Sequence, residues 1–259
     1  MLKTLSKRFG RSATGSVFEA ALRPDARTYV VGDIHGRLDL LHGALAFLDA
    51  DIAENGPDCE IVFLGDYVDR GETSAGVLTL LHGIEAACPV PATVLMGNHE
   101  RMMLDFMDQP VVAGRRWLVN GGLQTAASFG VAGLTDRAGP KALVAARAAI
   151  ADAMPDGMLS WLERLPLMHR SGNLVCLHAG ADPDLPIDAQ DKDTLLWGHR
   201  AFTTTPRRDG LWIAHGHHIV ETPTVTAGRI AVDTGAYHSG RLTVGILDTD
   251  RIDFHIIGA

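Results

Sequence analysis

The stretch EIVFLGDYVDRGETSAGVLTLLHGIEA (60–86) decides the fold. Its opening EIVFL is a short apolar run of the kind that forms a buried strand, and it stops at Gly65-Asp66. From Ser74 to Ala86 the apolar residues recur at helical spacing instead. A strand, a loop carrying two aspartates and an arginine, and a helix therefore follow one another directly.

The same pattern lies on either side. TYVV (28–31) reads as a strand ending at Gly32-Asp33, followed by the helix LDLLHGALAFLDAD (38–51). TVLM (93–96) reads as a third strand, ending at Gly97-Asn98-His99-Glu100. Three such units predict an α/β sheet with helices on its faces, and in such sheets sites gather beyond the carboxyl ends of the strands. Residues 101–168, with Asn120-Gly121-Gly122 and an Ala-rich stretch from Lys141 to Ala153, read as a mostly helical excursion, in which Met102, Met103 and Met107 are assigned to packing. NLVCL (173–177) returns to strand and ends at His178-Ala179-Gly180, and LWIAHGHH (211–218) repeats that form. GRIAVDTGA (228–236), RLTVGILD (241–248) and RIDFHII (251–257) alternate as hairpin-connected strands do. The expected architecture is two mixed β-sheets with helices outside, in one domain over 28–259 behind a leader and linker at 1–27.

Composition sets the outer limits. Hydrophobic residues make up 46% of the 259-residue chain and charged residues 21%, which suits a globular core rather than global disorder. The net charge of -8 gives no attraction to a nucleic-acid backbone. Cys59, Cys88 and Cys176 are far apart and form no CxxC, so no disulfide framework is expected, and a reducing, cytoplasmic compartment fits. Lys3, Lys7, Arg8 and Arg11 precede the first acid, Glu19, without the apolar run of a secretory signal, and are read as a frayed basic terminus, with an organellar or membrane-surface address as the alternative. No apolar run approaches the roughly 18 residues of a membrane span, so no membrane partner is expected. Oligomeric state is left open.

Five of the strand exits carry groups that bind metals. Asp33 and His35 lie two apart, so both side chains face one side if the strand direction persists through the turn, and together they would meet one cation. Asp66, at the next exit, has two oxygens with which to bridge two cations, and Asn98, His178 and His217 would complete the second. Mixed oxygen and imidazole donors suit manganese, iron, zinc or a related transition metal such as nickel rather than a purely hard-ion site. Two ions about 3.5–4 Å apart can clamp a phosphate and activate water for in-line attack, which removes the need for a nucleophilic Ser or Cys. His99, beside Asn98, would supply the leaving group's proton; Asp69 would orient its imidazole, and the Arg70 fork would bind phosphate oxygens. His42, His82, His169 and His255 have no such company and are read as structural.

GDIHG (32–36), GDYVDRG (65–71), GNHE (97–100), HAG (178–180) and HGHH (215–218) resemble the calcineurin-like metallophosphoesterases, in particular the phosphoprotein-phosphatase branch with its small bacterial and phage serine/threonine phosphatases. The resemblance runs from about residue 28 to 248 and takes in NGG (120–122), LLW (195–197) and DTGA (233–236). It implies a four-layer α/β/β/α sandwich with a dinuclear centre at its edge. It also implies Asp33 and His35 at the first metal, Asp66 as bridge, Asn98, His178 and His217 at the second, His99 paired with Asp69 as general acid, and Arg70 on phosphate. His215 would stand behind the ligands. Bacterial relatives carry Trp-x-Arg where this chain reads Trp197-Gly198-His199-Arg200, so either Arg200 or His199 is the second phosphate clamp. Glu100 and the Asp69-Arg70 pair favour a phosphoprotein or phosphopeptide substrate. A dinucleoside-tetraphosphate hydrolase, a broad small-molecule phosphatase and a catalytically silent binding scaffold are the alternatives.

Overall fold

A computed structural model describes residues 18–258; the basic stretch with Lys3, Lys7, Arg8 and Arg11 lies outside the described residues. The segment expected to be a linker is fastened down from Phe18 onward. Phe18 packs edge-on against Trp212, whose indole N–H donates to the Ala20 carbonyl at 2.9 Å. Asn173 pairs its backbone with Arg23, and the Leu22 side chain is buried.

Period-two burial explains the layering. β1 (Arg27–Val31) turns Tyr29 and Val31 toward the helices and Val30 toward a second sheet, and β2 (Cys59–Phe63) does the same with Ile61 and Phe63 against Val62. The helix between them, α1 (Leu38–Asn55), and the next, α2 (Ser74–Ala87), lay buried stripes over that outer face: Leu41, Ala44 and Leu48 from α1, and Val77, Leu78 and Leu81 from α2. β3 (Ala92–Val94) pairs with β2 in parallel, as β2 does with β1.

The excursion is helical in five pieces: α3 (Asn98–Asp108), α4 (Pro110–Trp117), α5 (Leu123–Ser128), α6 (Pro140–Ala153) and α7 (Met158–Glu163). A widened π-turn at Leu118–Gly122 joins α4 to α5, and Met102, Met103 and Met107 are buried in the helix-side core. α3 begins at Asn98 itself, so the third strand exit is a helix N-terminus.

The second sheet holds β4 (Met168–Ser171), β5 (Leu174–Leu177), β6 (Trp212–His215), β7 (Thr224–Thr226) and β8 (Arg229–Ala231), in the order β4-β5-β6-β8-β7. Between β5 and β6 a short helix, α8 (Lys192–Trp197), covers its outer face, where Val175, Leu177 and Ile213 meet Leu195 and Phe202. Leu174, Cys176, Ala214 and Ile230 face inward to Val30, Val62 and Leu247. After the turn of helix α9 (Ala236–Ser239), the chain returns to the first sheet as β9 (Leu242–Asp248) and β10 (Arg251–Ile257), giving the order β10-β9-β1-β2-β3 with antiparallel pairing of β9 to β1. The fold is thus the expected four-layer sandwich of two mixed sheets. The hairpin reading holds for β9-β10 but not for β8-β9, which lie in different sheets; β8 instead pairs with β7, a strand the sequence reading did not include. Among the described residues no helix is long and apolar enough to cross a membrane.

Candidate active site

Three loops at the strand ends are stitched into one body by their own backbone. The N–H groups of Ile34 and His35 donate to the Asp66 carbonyl at 3.1 and 2.8 Å, and that of Gly36 donates to the Tyr67 carbonyl at 2.8 Å. The buried Glu100 carboxylate then accepts from Asp66 N–H at 2.8 Å, Tyr67 N–H at 2.7 Å, Val68 N–H at 3.2 Å and Gly97 N–H at 2.9 Å. Gly97 must be glycine: a Cβ there would overlap Asp66 Oδ1 and the Asp66 nitrogen.

This stitching holds a strained backbone. His35, Asp66, Asp69, Arg70 and His217 have φ of 45, 54, 72, 69 and 61°. Each such residue costs about 1–3 kcal/mol, which only the surrounding bonds can offset. The positive φ at His35 corrects the strand-continuation argument: β1 has ended by then, and a left-handed turn rather than pleat periodicity aims the imidazole.

Asp66 is the centre. Its Oδ2 lies 3.5 Å from His35 Nε2 and 3.9 Å from His99 Nε2, and its Oδ1 lies 3.3 Å from His178 Nε2. Two groups of converging donor atoms share it: His35, Asp66 and His99, and Asp66, His178 and His217. Asn98 Oδ1 closes the second group, 2.8 Å from His178 Nε2 and 2.9 Å from His217 Nδ1. His35 Nδ1 sits 2.8 Å from the Val68 carbonyl and His178 Nδ1 2.9 Å from that of Leu64. A carbonyl only accepts, so in both rings Nδ1 carries a proton; burial would lower the His178 imidazole, but Asp66 outweighs it and holds the ring above its ordinary value. Burial pushes the His35 imidazole down to about 3 and that of His217 down to about 4, which keeps both neutral.

Asp33 belongs to neither converging group. Its Oδ2 accepts from His217 N–H at 3.0 Å, while Oδ1 is buried without a partner. Burial raises the carboxyls of Asp33, Asp69, Glu100 (to about 7) and Asp233, and neighbouring carboxylates add to the effect at all four. Asp66 goes the other way; burial would raise it, but His178 and His99 outweigh that and hold it well below the usual range. An orphaned carboxylate oxygen and an excess of buried negative charge fit cations at this centre.

Beside it stands a buried imidazole–carboxylate pair. His99 Nδ1 is 2.7 Å from Asp69 Oδ2, with both side chains buried. Burial lowers the His99 imidazole, yet Asp66 and Asp69 outweigh it and leave the ring above its ordinary value. Arg70 follows, its guanidinium 4.7 Å from the centre of the Tyr237 ring. Two open cavities of about 620 Å³ each meet at Arg70 and Tyr237: one lined by Leu118, Asn120, Leu123 and Gln124, the other by Arg37, His42, Glu72 and Thr73.

A family model for calcineurin-like phosphoesterases matches residues 26–258. The chain belongs to that family. Among curated proteins it is similar to serine/threonine-protein phosphatase 2 of Salmonella typhimurium strain LT2, 29% identical over 232 residues that cover 83% of this chain and 90% of the relative. Among solved structures, a protein described as a candidate diadenosine tetraphosphatase superposes with a TM-score of 0.60 at 19% identity, covering 92% of this chain and 98% of that one. A serine/threonine phosphatase from Saccharomyces cerevisiae, with similarity to human phosphatase PP5, gives 0.57 at 17% identity, covering 91% and 81%.

In this phosphoesterase, Asp33, His35, Asp66, Asp69, Asn98, His99, His178 and His217 come together, and Arg70 borders them. Neither candidate for the second clamp borders the cavities at Arg70. Arg200 is exposed on the turn after α8, and His199 Nε2 faces Asp182 Oδ2 at 3.8 Å. His215 is buried behind the centre, its ring edge-on to Phe202 and pushed down to about 4 by burial. Sequence reasoning missed the fourfold grip of Glu100, although a glutamate three residues after the helix-capping Gly97 is a recognisable signal. It gave Asp233 no role although DTGA (233–236) was noted, and it missed Tyr237, Trp117 and Thr125, for which nothing local in the sequence speaks.

Proposed function

We propose that this phosphoesterase is a two-metal phosphatase acting on phosphoserine and phosphothreonine in proteins. The observation that carries the reading is the buried Asp69–His99 pair, whose imidazole converges with His35 on Asp66, the residue both donor groups share, with Arg70 next to it. Asp33 and His35 would hold one cation, Asp66 both, and Asn98, His178 and His217 the other; manganese is the cation proposed, with iron, zinc and nickel as alternatives. When bound, such ions supply Lewis acidity and lower the pKa of coordinated water.

The chain's own residues supply the rest. The Arg70 fork would bind the non-bridging phosphate oxygens with the Asn98 amide beside it; Arg200 would have to swing in from its exposed turn to join them. Doubly protonated His99 would donate from Nε2 to the departing ester oxygen, while Nδ1 keeps its bond to Asp69. An alkoxide is a poor leaving group, so a serine or threonine ester needs that proton. Cavities on both sides of Arg70 favour an ester in mid-chain, with residues on either flank, over a compact small molecule. Three free cysteines fit a reducing compartment, and a cytoplasmic place of action is part of the proposal.

The test is steady-state kinetics of manganese-loaded protein on a phosphothreonine peptide, diadenosine tetraphosphate and p-nitrophenyl phosphate, beside His99→Asn. The expected result is a kcat/KM at least tenfold higher for the peptide, lost in His99→Asn. Preference for the dinucleotide would move the enzyme to nucleotide hydrolysis, and absence of metal-dependent turnover on all three would overturn the reading and leave a binding scaffold.

A further inference from the structure

The helical excursion holds the other end of the proton-transfer pair. Asp69 Oδ2 is taken by His99; Oδ1 accepts from the Trp117 indole N–H at 3.0 Å and from the Thr125 hydroxyl at 2.7 Å. The Thr125 oxygen in turn accepts from the backbone N–H of Asp69 at 2.8 Å, so one side chain grips both the carboxylate and the main chain of the same residue. Trp117 and Thr125 are completely buried, and the indole is stacked on Phe106 with 4.5 Å between ring centres. Trp117 is the last residue of α4 and Thr125 lies in α5, 48 and 56 residues along the chain from Asp69.

We propose that Trp117 and Thr125 are positioning residues for proton delivery. They act through Asp69, and the inference rests on the reading of His99 as the proton donor. A carboxylate held by a single bond to His99 could pivot about Cβ–Cγ. Two fixed donors on Oδ1 stop that rotation, which fixes the direction of the His99 Nδ1–H bond and hence where Nε2 points. They also satisfy the lone pairs of a buried anion, so that Asp69 stays ionised while His99 passes its proton from Nε2 to the leaving ester oxygen, which departs with the P–O bonding pair. The excursion is thereby part of the acid machinery as well as a wall of the groove.

A fault in proton delivery depends on the leaving group, whereas a general loosening of the site does not. Trp117→Phe keeps an aromatic ring but removes the indole donor and some volume, and Thr125→Val keeps the branched shape but removes both the donor to Oδ1 and the acceptor of the Asp69 N–H. For the manganese-loaded variants we expect kcat to fall about tenfold on a phosphothreonine peptide, whose alkoxide needs the proton, with KM within twofold of the parent. On p-nitrophenyl phosphate, whose phenolate leaves readily, the loss should be at least threefold smaller. Thr125→Ser, which restores a hydroxyl, should recover most of the peptide activity, and in a His99→Asn background Trp117→Phe should add less than a twofold further loss. Equal losses on the two substrates, additivity with His99→Asn, or unchanged kcat in both single variants would overturn the proposal. If His99→Asn itself loses equally on both substrates, the donor assignment beneath it fails, and the proposal with it.

Discussion

Gly121 offers a test of how tightly the excursion controls phosphate binding. Its φ is +109°, and a Cβ at that position would stand 2.5 Å from the Arg70 nitrogen and 3.1 Å from the Asp69 Cβ; the Gly121 carbonyl meanwhile accepts the Arg70 N–H at 3.3 Å. Gly121→Ala therefore imposes two costs. A non-glycine residue at this φ costs about 1–3 kcal/mol, and overlap with a packed backbone adds about 1–3 kcal/mol. At roughly 2–4 °C per kcal/mol for a chain of this size, Tm should fall by about 5–20 °C. Relief of the overlap pushes Arg70 outward, and a displacement near 1 Å in a positioning group costs on the order of a hundredfold. Because Arg70 would grip the phosphate before and during reaction, KM should rise along with a fall in kcat/KM of about 10–100-fold. Gly133→Ala is the control: φ is +73°, but a Cβ there meets nothing within 4 Å, so it carries backbone strain without displacement. Its Tm should drop by a few degrees with kinetics within twofold of the parent. Both variants are assayed at a temperature where circular dichroism reports them folded. Unchanged KM and kcat/KM in Gly121→Ala, or equal kinetic losses in the two variants, would refute the argument that contact with Arg70 is what matters.

Leu247 is fully buried between the sheets, away from the loops, and Leu247→Ala should cost about 2–5 kcal/mol in urea unfolding while kcat stays near the parent's. Glu60 on β2 accepts from Thr28 at 2.9 Å and pairs with His169 on β4 at 2.9 Å, joining the two sheets. Burial would raise its carboxyl, but the bonds to His169, Ser171 and Thr28 outweigh that and hold it below the ordinary range. A depressed folded value means stabilisation present above the unfolded value of about 4.3 and lost as pH falls through the folded value. The stability gap between parent and Glu60→Gln should therefore narrow from pH 7 to pH 3 in urea titrations, and a constant gap would count against the pairing. Chelation of manganese-loaded protein should lower Tm by about 5–10 °C if the ion was present at a hundredfold its Kd, worth about 2.7 kcal/mol; an unchanged Tm would mean the centre does not couple to folding.

The strand-loop-helix units and the residues that converge at their ends were legible in the sequence because both depend on local pattern. EIVFL alternates its side chains between the helix-side core and the core between the sheets, Leu41, Ala44 and Leu48 share one helical face, and the first three strands run out into Gly32-Asp33, Gly65-Asp66 and Gly97-Asn98. Those exits had to converge once the strands were packed side by side, which is why Asp33, His35, Asp66, Asn98, His178 and His217 could be named together. Tertiary structure alone decided which sheet each late strand joined, since β8 and β9 carry similar alternation yet part company. It also aimed His35 and His217 through left-handed turns that no periodicity encodes, and left Arg200 exposed where a motif would bring it inward. Above all it brought Trp117 and Thr125 onto Asp69, 48 and 56 residues away. A hydrogen bond across that separation exists only after two independent elements have docked, so its energy leaves no trace in the local choice of residue; the sequence determined the chemistry available, and packing determined which groups hold it in place.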